Sequence, residues 1–205
     1  ASDRALINLG PKVEGLDLIM FNTFGRLPRL STDLLGTEWA FDGPFLIGEW
    51  GKNGPWESAT TPWGAPYEAH SSKKAAQINQ RHAQLPRENP RYLGSLAFFW
   101  GQRQERTHTC FNFFDSQNRR SATVPALAKA WGTPYRANEP PQIQGLEASL
   151  SNGYHAFYAP GSQQWAHLKV KDPEGDSLHF QWTIRPEDWF IIKGQAPTPT
   201  TLGIP

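Results

Sequence analysis

The run Pro44-Phe45-Leu46-Ile47-Gly48-Glu49-Trp50-Gly51 constrains the fold more than any other stretch of this chain. Three apolar residues lead straight into a carboxylate, an indole and a glycine. Strands buried on both faces of a parallel sheet read as short continuous apolar runs rather than as alternation. Two further runs share that character. Residues 16–22 predict a buried strand ending at Asn22, and residues 92–100 predict another ending at Trp100. Between them lie helical patterns. Residues 27–36 predict a short helix stopped by Gly36. Residues 71–85 predict a longer one, capped by Ser71 or Ser72 and stopped by Pro86. A last helix is expected over 122–131. Strand alternating with helix argues for parallel βα units. Three such units fall short of a closed (β/α)8 barrel.

The chain changes character after a linker at 132–143. Residues 165–171 and 177–183 alternate apolar and polar side chains, the period of half-buried antiparallel strands. Asp172-Pro-Glu-Gly-Asp176 predicts a tight turn joining them as a hairpin. From residue 142 onward we expect a small all-β, immunoglobulin-like module, with Trp165 and Trp182 filling its core. About sixty residues is short for such a sandwich, and the Pro- and Thr-rich stretch 195–205 reads as a truncated or frayed end. The expected domains are therefore 1–133 and 142–205.

Charge removes several function classes. The chain carries 20 basic and 19 acidic residues among 205. It has no long run of like charge, so no electrostatic footprint for nucleic acid or an anionic membrane is expected. No segment approaches the ~20 apolar residues of a membrane span. A single cysteine, Cys110, excludes an internal disulfide framework. His70, His82 and His108 show no metal-ligand spacing, so neither metal nor cofactor is expected. Asp172 and Asp176 are read as turn residues rather than calcium ligands. No phosphate-binding loop or nucleophile elbow is present. Ala1-Ser2-Asp3-Arg4 does not read as a signal peptide.

Tryptophan points the other way. The chain has nine, and Trp39, Trp50, Trp56 and Trp63 crowd a Gly-, Pro- and Thr-rich stretch. Long irregular loops are usually functional. Indole rings pack on the flat C–H face of a sugar while neighbouring Glu, Asn and Gln meet its hydroxyls. A carboxylate just past a strand of parallel βα units stands at the face where such folds carry active sites. Glu49 is thus the candidate catalytic carboxylate. Trp50, Trp56 and Trp63 are expected to extend the groove. Asn22, Gln102 and Glu105 are expected to bind substrate at the rim.

The segment from Asp17 to Trp131 resembles the C-terminal part of a retaining (β/α)8-barrel glycoside hydrolase, of the clan holding β-galactosidases, β-glucuronidases and β-glucanases. Asp17–Gly25 resembles strand six, Pro44–Gly51 strand seven and Leu93–Trp100 strand eight. The loops Trp56–Pro66 and Trp100–Thr107, and a following module with the Asp172–Asp176 turn, resemble a bacterial subgroup. The resemblance implies that Glu49 is the nucleophile and that Trp100 is a platform beneath the sugar. It implies an oligo- or polysaccharide substrate and an extracellular or periplasmic setting. It also implies a general acid after an Asn-Glu pair upstream, in a missing N-terminal half of the barrel. No such pair precedes Glu49 here. Glu105, Glu57 and Glu68 are the alternatives within the chain. Arg103 and Arg106 beside Glu105 suit an ion pair better than a general acid. The clan's usual Tyr at the end of strand six is Phe24 here, and Cys110 stands where an aromatic is expected. Both departures leave a non-catalytic carbohydrate-binding protein, or a structural scaffold without sugar affinity, as alternatives to an enzyme.

Overall fold

A computed structural model describes residues 13–30, 41–103, 105–107, 109–148, 158–184 and 200–201. The first part is mixed α/β. Strands β1 (Ile19–Asn22), β2 (Phe45–Gly51) and β3 (Tyr92–Phe98) form one parallel sheet in the order β1-β2-β3. Helices α1 (Ser71–Ala83) and α2 (Thr123–Ala130) pack together over one face. Phe21, Phe45 and Ile47 from the sheet meet Ile78 of α1 and Leu127 of α2 in a shared core. Burying each of these side chains contributes about 1.5–3 kcal/mol, so this interface is what holds the layer together.

The expected strands and helices of this part are present, with shifted ends. A 3-10 helix, Phe24–Arg29, opens ahead of the expected start at residue 27. The rest of the expected span to Gly36 falls largely on residues 31–40, outside the described ones. Helix α1 is capped by His70, whose Nδ1 accepts a hydrogen bond from the Lys73 amide at 3.3 Å. Ser71 is already inside the helix. The Ser72 hydroxyl instead accepts from the amide of Ile143, at 2.8 Å. Lys74, Ile78 and Arg81 form the buried stripe of α1, at the helical spacing of one face.

Strand β2 carries a bulge that decides where the site residues go. Ile47 pairs with Phe21 and Ser95, yet the next paired residue is Glu49 toward β1 and Trp50 toward β3. An extra residue in one strand reverses the alternation of side chains beyond it. Trp50 therefore returns to the core side with Ile47 and is fully buried.

The second part is antiparallel. Strand β4 (Gln142–Ala148) pairs with β5 (Ala166–Lys171), and β6 (Thr183–Ile184) with β7 (Thr200–Thr201). The expected hairpin between 165–171 and 177–183 does not form. Alternation marks a strand but not its partner, and β5 takes β4, aligning Leu146 with Leu168 and Ile143 with Val170. The Asp172 turn is present: its Oδ1 accepts from the Glu174 and Asp176 amides at 3.1 and 2.9 Å. Trp165 is 58% exposed and Trp182 half-buried, so neither fills a core. No described residue after Leu127 is buried. Residues 149–157, 185–199 and 202–205, part of the expected sandwich, lie outside the described ones.

Candidate functional site

Glu49 lies near the C-terminal end of the middle strand of the parallel sheet and is half-buried. Its carbonyl accepts from the Thr23 amide at 2.8 Å and from the Thr23 hydroxyl at 3.4 Å. These bonds fasten the end of β1 to the end of β2. Asn22 is the register partner of Glu49 and is exposed. Paired residues on neighbouring strands point to the same face, so Glu49 and Asn22 share one face at this end of the sheet. Gly48 lets the Asn22 and Met20 side chains approach β2 closely. A Cβ there would lie 2.9 Å from Asn22 Oδ1 and 2.4 Å from the Met20 side chain.

An aromatic bed borders this end of the sheet. Phe24 follows β1, Phe98 ends β3 beside Gly51, and Phe111 comes from the later loop. Their ring centroids lie 5.2–5.5 Å apart. Trp56, 65% exposed, stands edge-on to Phe24 at 5.3 Å. Trp100, 60% exposed, stands edge-on to Phe114 at 5.0 Å. Trp63 is 45% exposed at the tip of the Thr60–Pro66 loop. Gln102 is exposed on the segment after β3. Trp50 does not extend the groove. It is core, and its indole N–H has no partner.

The alternative acids are occupied elsewhere. Both oxygens of Glu57 accept from the Gly25 amide, at 2.9 and 3.1 Å, and one also accepts from the Gly54 amide at 2.9 Å. That carboxylate ties the turn after β1 to the loop after β2. Glu68 pairs with Lys74 and accepts from the Thr107 and Thr109 hydroxyls. Burial pushes its pKa up, but the Lys74 charge and these donors outweigh it and hold the carboxyl below its ordinary value. Glu105 is ion-paired with Arg103, as its flanking arginines led us to expect.

Several residues that organise the site escaped the sequence reading. Asn112, 4% exposed, clasps Arg103 from both sides: its Oδ1 accepts from the Arg103 amide at 3.0 Å and its Nδ2 donates to the Arg103 carbonyl at 2.9 Å. Lys52, fully buried, donates to the carbonyls of Phe111 and Asn112 at 2.5 and 3.1 Å and lies 4.0 Å from the Phe113 ring centroid. Burial, then the nearby Lys74 charge, holds its pKa well below the ordinary range. Its role is to anchor the 111–113 segment to the end of β2. The one available signal was the alternation in Phe111-Asn-Phe113, which reads as two buried rings around a polar residue.

Among the described residues, no group of three or more His, Cys, Asp or Glu is arranged to hold a metal ion. No described helix is long and apolar enough to cross a membrane. No protein-family model matches the chain, and no curated protein matches it.

Proposed function

We propose that this chain carries the nucleophile half of a retaining glycoside hydrolase site acting on a β-glycan outside the cell. The observation that supports it most is the placement of Glu49. It lies near the C-terminal end of the central strand of a parallel sheet, paired with Asn22, at the same end as the exposed rings of Trp56 and Trp100. Retaining enzymes need a nucleophilic carboxylate and a second carboxyl group about 5–5.5 Å away. The first attacks the anomeric carbon. The second protonates the departing oxygen and later takes the proton of the incoming water. Glu57, Glu68 and Glu105 are engaged as a brace, a clasp and an ion pair. With these three engaged, we place the acid on further parallel strands laid against the open side of this sheet, in the same or another chain. Trp100 would lie under the sugar, with Asn22 and Gln102 holding its hydroxyls.

A second reading, a carbohydrate-binding protein without catalysis, draws on Phe24. Its ring packs on Phe98, Phe111 and Trp56, so that position offers the Glu49 carboxylate no donor.

A 2-deoxy-2-fluoro-glycoside with a dinitrophenolate leaving group separates the two readings, because that group departs without an acid. A covalent adduct on Glu49, found by mass spectrometry and absent in Glu49→Gln, is the expected result. Glycan binding that survives Glu49→Ala, with no adduct, establishes the second reading instead. Turnover of an ordinary aryl glycoside by this chain alone, abolished by Glu49→Gln, would overturn the placing of the acid elsewhere.

A further inference from the structure

We propose, resting on the glycosidase reading, that the Glu49 site takes a carboxylated sugar and that Arg103 is the residue that recognises the carboxylate. Phe98 is the register partner of Gly51, two residues beyond Glu49. The Arg103 guanidinium carbon lies 5.2 Å from the Phe98 ring centroid and 4.8 Å from that of Phe99. The cation therefore sits over the end of the sheet that carries Glu49. Phe98 also contacts Phe24, and Phe24 contacts Trp56. Phe24 and Phe111 are buried and Phe98 half-buried, so what this cluster offers a ligand is the exposed Trp56 indole on one side and the half-exposed Arg103 guanidinium on the other.

The arginine is held more firmly than a solvated one requires. Both amide groups of the nearly fully buried Asn112 are used on its backbone. Its guanidinium packs over two rings and keeps its N–H fork for hydrogen bonding. That fork matches a carboxylate bidentately, as a lysine ammonium does not. Glu105 occupies one edge, but Arg103 is 48% and Glu105 31% exposed. Pairs this open to water are weak. A ligand carboxylate can replace Glu105 or share the fork with it. Glu105 thus acts as a stand-in that keeps the guanidinium oriented when the site is empty.

The test measures binding of four tetrasaccharides to the 205-residue chain by calorimetry. Two are β-1,4-linked glucuronate and mannuronate tetramers; the others are their neutral parents, cellotetraose and mannotetraose. At least one acidic tetramer should bind about tenfold more tightly than its parent. Arg103→Met, which keeps the stacking bulk, should erase that preference and leave neutral binding unchanged. Glu105→Gln should strengthen acidic binding, and raising the salt toward 0.5 M should shrink the preference. Should Arg103→Met fail to fold, Arg103→Lys answers the same question, because it keeps the charge and loses the fork. Neutral tetramers bound as well as acidic ones, or a preference that survives both variants, overturns the inference and leaves the glycosidase reading intact. A fluoro-sugar adduct on Glu49 with no acidic tetramer bound also overturns the inference alone. Neither adduct nor binding overturns both.

Discussion

The Cys110 thiol is 7% exposed in a cluster with Phe24 and Phe111. Burial, then the Glu68 carboxylate, pushes its pKa from 9.0 up to about 11. Only the thiolate attacks an alkylating agent. At pH 8 a two-unit rise cuts the thiolate fraction about a hundredfold. Iodoacetamide should therefore modify the native chain at least about a hundred times more slowly than the urea-unfolded chain, burial slowing it further. Equal rates would mean that Cys110 is open to solvent. The sign of the linked stability follows from the same shift. Between pH 9 and 11 the folded state keeps a proton that the unfolded state loses, so this contribution is whole below 9 and fades toward 11. Lys52 acts oppositely, since its lowered pKa makes stability rise with pH below the ordinary 10.5. Comparing wild type with Cys110→Ala isolates the thiol part.

At the scale of the elements, β2 and β3 meet closely at Gly51. A Cβ there would stand 2.9 Å from the Phe98 carbonyl oxygen, and the backbone has φ of +155°. The obstacle is backbone of the paired strand, so it cannot swing aside. Gly51→Ala should cost about 1–3 kcal/mol in urea unfolding. It should also loosen the end of the sheet that carries Glu49, quenching the Trp fluorescence change on glycan binding. An unchanged midpoint would show that the two strands part there at little cost. The three parallel strands and both helices were legible because apolar runs and a 3.6-residue stripe are local signals. The positions of Glu49 and Asn22 near strand ends, and of Trp100 just past one, follow from the same local runs, whereas Trp56 sits in a 3-10 turn of the loop after β2. The place of Trp50 was not legible, because one extra residue in β2 turns it inward, and nothing local marks a bulge. The pairing of β5 with β4 was not legible either, since alternation is blind to the partner. The Glu57 brace and the Asn112 clasp join residues far apart in sequence, and such bonds leave no periodic trace. The His70 cap was missed because serine is the commoner capping residue.

At the scale of the whole molecule, the described residues cover the parallel sheet unevenly. Helices cover one face of the parallel sheet, whereas parallel sheets in proteins are almost always covered on both. The other face carries Met20, 54% exposed, and Leu96, 57% exposed. Met20 reaches across Gly48, while Phe21 and Ala97, their neighbours in sequence, pack into the core. Among the described residues, the antiparallel part meets the helix side instead, with β4 against α1. It is tied to the helices, through Ile143 on Ser72 and through Glu174 on the amide of Glu139, which pairs with Lys129. An apolar face left open in this way binds hydrophobic dyes and drives association. The chain alone should therefore enhance anilinonaphthalene sulfonate fluorescence and elute from a sizing column as a mixture of sizes. Met20→Lys with Leu96→Glu should suppress both effects while moving stability by no more than about 0.5 kcal/mol, as substitutions at open positions do. Ile47→Lys, which puts the same charge on the covered face, should unfold the chain, because an unpaired buried charge has no compensation. A double variant that unfolds would show that Met20 and Leu96 are buried in solution. An unchanged dye signal in a folded double variant would place the adhesive surface elsewhere, and would remove the open side against which further parallel strands, and the acid they carry, are proposed to lie.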